Sequence, residues 1–106
     1  MEKNMSLQNS AITNSTATAI YTSSGNTVIS TIHICNNTNA TIYANVYMAP
    51  SGFIANGVNI IYGNIAVSAY NTLITQEKFA LADGDRVYAN ASASSGLNST
   101  ISYVGY

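Results

Sequence analysis

Apolar and polar residues alternate with a period of two along several stretches of this chain, and clusters of turn residues separate the stretches. From Thr41 to Ala49, Ile42, Ala44, Val46 and Met48 fall on one side of an extended backbone, and Thr41, Tyr43, Asn45 and Tyr47 on the other. That period predicts a strand with one buried face. Val28 to Cys35 reads the same way, with Val28, Ser30, Ile32 and Ile34 on one face and Ile29, Thr31, His33 and Cys35 on the other. Val87, Ala89, Ala91 and Ala93 alternate with Tyr88, Asn90 and Ser92. Further strands are predicted within Ser10 to Thr22 as one or two pieces, over Val58 to Val67 with a bulge or bend at Gly63-Asn64, from Asn71 to Thr75, and from Thr100 to Tyr106. Phe79 and Leu81 are apolar anchors ahead of a tight turn.

The punctuation between these stretches has a physical basis. Ser23-Ser24-Gly25-Asn26, Asn36 to Asn39, Ser51-Gly52, Asp83-Gly84-Asp85 and Ser94 to Asn98 carry the residues that tolerate positive φ or bond their own backbone. Pro50 removes a ladder donor and closes its strand. Phe53 to Gly57 reads as a loop. Good helix formers are few, while Thr, Val, Ile, Tyr, Ser and Asn abound. About seven strands joined by short turns predict an all-β fold, an antiparallel β-sandwich of Ig-like or jelly-roll type. The Cys–Trp–Cys signature of antibody domains is missing. Residues 1–11 read as a polar N-terminal arm and residues 12–106 as a single β-sandwich domain, which suits a chain of 106 residues.

Charge is the most unusual feature of the composition. Charged residues make up 7 % of the chain, against about 25 % in an average domain. Glu2 and Lys3 open the sequence, and Glu77, Lys78, Asp83, Asp85 and Arg86 share one late segment. Between Asn4 and Gln76, apart from Tyr, only His33 and Cys35 can ionise. A surface so poor in charge, with a formal net charge of −1, does little to keep copies apart and favours association. With 3 Lys and Arg in all, no phosphate-neutralising patch can be drawn, so nucleic acid is not an expected partner. Apolar runs such as Asn59 to Val67 are broken by Asn and Gly and fall short of the ~18 residues that a membrane span needs. Met1 to Gln8 lacks an apolar signal-peptide core. The single Cys35 cannot form an internal disulfide, which fits synthesis in a reducing cytoplasm.

Candidate chemistry is sparse. His33 and Cys35 lie two residues apart on one strand face, the geometry of a nucleophile–base pair, but a half-buried strand face accounts for both. Zinc needs three or four ligands and this pair supplies two. Asp83, Asp85 and Glu77 fall short of the oxygens that calcium takes. As turn residues the aspartates are expected to bond local amides, and as a glycosidase pair they lack an aromatic cleft. No phosphate-binding glycine motif occurs. N-x-[ST] triplets at Asn14, Asn36, Asn39, Asn90 and Asn98 are what an Asn/Ser/Thr-rich chain throws up, and no glycosylation is assigned. The reading is therefore non-enzymatic, with no catalytic residue, cofactor or metal. Of the eight tyrosines, Tyr43, Tyr47, Tyr88 and Tyr106 are the candidate interface residues, because Tyr offers contact area with a polar tip. For Tyr43 and Tyr47, packing within the sandwich is an equal alternative.

The segments Ile20-Tyr21-Thr22-Ser23-Ser24-Gly25-Asn26-Thr27-Val28-Ile29, Ile34-Cys35-Asn36, Val46-Tyr47-Met48-Ala49-Pro50-Ser51-Gly52 and Gly84-Asp85-Arg86-Val87-Tyr88-Ala89, with Ile101-Ser102-Tyr103-Val104-Gly105 near the end, resemble small virion structural proteins of tailed bacteriophages. The resemblance covers most of the chain after Ala17 and implies a role in the particle: a capsid decoration or cement protein, or a neck, tail or baseplate subunit. It implies localisation in the virion, with copies of the chain and other virion proteins, the major capsid protein first among them, as partners. A carbohydrate-binding module with weak glycan binding is the alternative from another class. Tyr, Asn and Asp in sandwich loops fit it, and the absence of Trp counts against it.

Overall fold

Strands from the first half of the chain find their partners in the second half, in nested order. The computed structural model describes residues 4–14 and 16–105 and contains nine β-strands among them. They are β1 (Asn4–Ile12), β2 (Thr18–Thr22), β3 (Thr27–Asn36), β4 (Ile42–Ala49), β5 (Ile60–Val67), β6 (Thr72–Thr75), β7 (Phe79–Leu81), β8 (Arg86–Ala91) and β9 (Leu97–Gly105). β1 pairs with β9, β2 with β8, β3 with both β6 and β7, and β4 with β5, all antiparallel. Additional pairing of β3 with β9 and of β4 with β8 gathers the strands into two sheets. One has the order β1-β9-β3-β6, with β7 also on β3, and the other the order β2-β8-β4-β5.

This is a long hairpin, turned at the Phe53–Val58 region and rolled into a sandwich. Nested pairing of that kind is the jelly roll, one of the two variants open to the sequence. β6 and β7 act as two pieces of one strand, both on β3, split by Gln76-Glu77-Lys78. The facing surfaces close over an isoleucine-rich core: Ile12, Ile29, Ile32, Ile34 and Ile101 are sealed from solvent, with Val46, Val87, Ala44 and Ala89 between them. Small residues on β4 and β8 let the sheets approach, and β-branched side chains fill the gap in few rotamers.

Three details differ from the sequence reading. The polar segment 1–11 is not an arm over its described part: from Asn4 it runs as β1 in unbroken register with β9, from Asn4↔Gly105 to Ile12↔Leu97. Its side chains carried no strand signal because Ser6, Leu7, Gln8 and Asn9 are exposed and the pairing is made by the backbone. Met1 to Lys3 lie outside the described residues. With β1 and the split β6–β7, the strands number nine rather than about seven. The faces of β3 also change over midway. Thr27 and Ile29 point inward, and so do Ile32, Ile34 and Asn36. The phase shifts at Ser30, an extra residue between Ile29↔Tyr103 and Thr31↔Ser102. Its hydroxyl donates to the Ser102 carbonyl at 3.0 Å. Strict alternation cannot foresee a bulge.

The bulge expected at Gly63-Asn64 is present. Ala44 faces Ile65 and Val46 faces Tyr62, so two residues of β5 oppose Asn45. Asn64 adopts a φ of 52° there.

Candidate functional site

The outer face of the β2-β8-β4-β5 sheet gathers the polar positions of β4 and β8. Tyr47 lies directly across from Tyr88, and Asn45 across from Asn90. The Asn45 amide donates to Asn90 Oδ1 at 3.0 Å, and Asn45 Oδ1 accepts the Asn64 backbone N–H at 2.8 Å. The two asparagines thus tie the bulge of β5 to β8. Over the tyrosines folds the segment that follows Pro50. A turn closes it, with the Phe53 N–H on the Pro50 carbonyl at 3.0 Å. Asn56 and Asn59 clamp it through Val58 N–H to Asn56 Oδ1 (2.8 Å), Asn56 N–H to Asn59 Oδ1 (3.0 Å) and Asn59 Nδ2 to the Ile54 carbonyl (2.8 Å). Tyr88 is buried beneath it. Its hydroxyl donates to the Phe53 carbonyl at 3.1 Å and accepts from Arg86 Nη1 at 3.4 Å.

Between this segment and the residues before β2 lies a cleft of ≈ 330 Å³, lined by Thr16, Ala17, Tyr47, Ile54, Ala55, Tyr88 and Asn90. Its volume is at the small end for ligand sites. Its chemistry is neutral: two phenols, an amide and a hydroxyl among apolar side chains. It carries no carboxylate, imidazole, amine or thiol. Alternation set Tyr47 on the polar face of its strand and Tyr88 with Asn90 on that of theirs, and the pairing of β4 with β8 brings the three together. The alternation gave no signal for Ile54, Ala55, Thr16 and Ala17, which come from loops whose paths only the packed fold sets.

The other candidates are dispersed. Tyr43 is exposed further along the outer face of β4, opposite Ala66. Tyr106 lies outside the described residues. At the rim of the cleft Ile54, and beside it Phe53 and Val58, expose large apolar surfaces, Val58 almost entirely.

Asp83 and Asp85 hold the fold together at one end. Asp83 Oδ1 accepts the Gly25 N–H at 2.7 Å, and Asp85 accepts the Ala82 N–H at 2.9 Å and the Ser51 N–H at 3.0 Å. Three turns are thereby tied together, and the local bonding read from the sequence is present in the Ala82 contact. Between the aspartates, Gly84 has a φ of 86°, and a Cβ there would lie 2.6 Å from the Ser51 hydroxyl. At the opposite end Asn36 is fully buried, which removes that N-x-[ST] triplet from the surface. His33 and Cys35 share the outer face of β3, where the residues across from them are Ile74, Thr100, Thr72 and Asn98. None of these is an acid that could orient the imidazole. Among the described residues no three His, Cys, Asp or Glu side chains come together as a metal site, and no helix is long and apolar enough to cross a membrane.

No protein-family model and no curated protein matches the chain. Among solved structures, a chain from the crystal structure of the T13 IBDV viral particle superimposes with a TM-score of 0.56 at 5 % identity. The match takes in 98 % of this chain and 31 % of that one, so the present chain corresponds to less than a third of the viral chain's length. At that identity the likeness is one of fold.

Proposed function

We propose that this chain is a non-enzymatic structural protein of a virus particle, and specifically a subunit that decorates or cements the capsid of a tailed phage. The observation that carries the reading is the jelly roll itself: almost the whole chain follows the architecture of part of a virus-particle chain. The surface supports it. Charges are nearly absent outside one segment, so sheet faces can meet other proteins without desolvating ions. The tailed-phage assignment rests on the sequence resemblance, and so do the major capsid protein and further copies of the chain as partners. Binding energy would do all the work. A standard patch of ~800 Å² per partner is a large share of the 5802 Å² surface, and repeated contacts on a lattice add avidity.

The cleft beside Tyr47 and Tyr88 favours a second reading, weak glycan binding, since jelly rolls also serve as lectin domains. One experiment separates the two. Shells from the same source, assembled without this chain, are titrated with it in co-sedimentation, and the chain alone is applied to a glycan array. Saturable binding at a fixed stoichiometry, with a raised melting temperature of the shells, is the expected result. No retention on shells would overturn the cement reading, and array binding lost in Tyr47→Ala would then establish the second.

A further inference from the structure

A sandwich has four sheet edges, and each unpaired edge is a template for another strand unless something blunts it. Three edges of this molecule are blunted, each by a different device. The β6–β7 edge is cut into pieces of four and three residues, and the break carries Glu77 and Lys78. The β2 edge is five residues long and interrupted by an irregularity between Ala19 and Tyr21. The Ser10 hydroxyl also occupies its Ile20 carbonyl at 3.2 Å. The β5 edge carries two register shifts and the left-handed Asn64, which twist it away from a straight partner.

β1 shares only one of these devices, a hydroxyl on a carbonyl: Ser99 donates to its Ser10 carbonyl at 3.1 Å, toward the end of the strand away from Leu7. It is nine residues long, without proline, glycine or charge. Its register with β9 has no shift. Among the described residues no strand pairs on its other side. Ser6, Leu7, Gln8 and Asn9 are exposed in succession, Leu7 by 65 %.

We propose that this edge is an interaction surface for a second copy of the chain, β1 against β1 in antiparallel pairing about a two-fold axis near Leu7-Gln8. The choice of occupant follows from the strand's own sequence. Antiparallel self-pairing sets every residue near the axis against itself or a close neighbour, so one charge would meet its own copy across the ladder. Asn4–Ile12 has no charge to repel. The arrangement is isologous and closes at two copies, extending the five-stranded sheet across the pair. Leu7, on the outer face, then meets the partner's Leu7 or Asn9 instead of water. This inference stands on the edge alone and not on the particle reading, so either can fail without the other.

The test is light scattering coupled to size-exclusion chromatography over a concentration series. The expected result is a dimer that dissociates on dilution. Leu7→Glu and Leu7→Lys should each run as monomers with unchanged far-UV circular dichroism, because Leu7 supports no core. Mixing the two should restore the dimer, since opposite charges then meet across the axis. Ile74→Glu, on the outer face at the far edge of the same sheet, should leave the dimer intact. Amide exchange in β1 should slow as the wild-type concentration rises. A wild-type monomer up to its solubility limit, a dimer that survives Leu7→Glu, or exchange in β1 that ignores concentration would overturn the proposal.

Discussion

Asn36 uses all of its side-chain hydrogen-bonding capacity inside the protein. Its amide nitrogen donates to the Ala40 carbonyl at 2.7 Å and the Val67 carbonyl at 2.9 Å. Its oxygen accepts from the Thr38 N–H at 2.9 Å and the Thr38 hydroxyl at 2.6 Å. One side chain therefore shapes the β3–β4 turn and fastens it to the end of β5. Asn36→Ala would strand a buried carbonyl and lose the turn's anchor. We expect a loss of ~2–4 kcal/mol, since each buried polar group left unmatched costs ~1–3 kcal/mol, read as a lower urea midpoint with unchanged slope. Asn36→Asp should not rescue it, because a carboxylate has no N–H for the Ala40 and Val67 carbonyls. The sequence places Asn36 in a turn, but its burial could not be read there, because Asn in a turn is ordinarily exposed.

At the scale of the strand, β3 shows how pattern and tertiary pairing divide the work. Its alternation is clear within Thr27 to Ile29 and again within Ile32 to Asn36. Ser30 joins two inward phases that would otherwise conflict. The partners of Ile29 and Thr31 on β9 are the consecutive residues Tyr103 and Ser102, so removing Ser30 closes the ladder without flipping a side chain. Deletion of Ser30 should therefore leave a folded protein, weakened by ~1–2 kcal/mol for its lost hydrogen bonds. Deletion of His33, between the inward-facing Ile32 and Ile34, would turn one of the two inward sets outward, and the chain should fail to give a cooperative melt. Thermal denaturation of the two deletions checks this. Folding of both alike, or of neither, would contradict the assignment of the bulge.

The whole molecule is organised around one long-range hairpin. The outermost pair joins residues near the two ends of the chain, Asn4 with Gly105, and the innermost joins Tyr47 with Ile60. A cut in the exposed segment between Phe53 and Val58 therefore separates β1–β4 from β5–β9. It leaves each pairing of the two sheets running from one fragment to the other or, for β5 to β9, against a strand of the first fragment. The nicked chain should elute as one species with its far-UV spectrum intact, and the halves should separate only in denaturant. Separation under native conditions would mean that the core at Ile32, Ile34 and Ile101 contributes less than its burial implies. The same topology makes nearly every stabilising contact non-local, which places this protein with the slower-folding small domains.

Fold class was legible in the sequence because alternation and turn chemistry are local properties. Ile42 to Met48 and Val87 to Ala93 declare their inward faces in their own order of residues, and Pro50 and Gly84 mark where strands stop. Composition likewise announced a surface with few charges. The rest belongs to partners far away along the chain. Nothing within Asn4 to Gln8 distinguishes a free polar arm from an edge strand, because β9 supplies its hydrogen bonds. Nothing within Tyr88 announces that the Phe53 carbonyl will cover its hydroxyl. The cleft exists because two loops far apart in the sequence, one before β2 and one after β4, settle over one sheet face, and the open edge exists because β1 is outermost in its sheet. Local residue order decides which way a side chain points from its own strand. Which strand lies beside it, and therefore what stays uncovered, is decided by long-range pairing and packing.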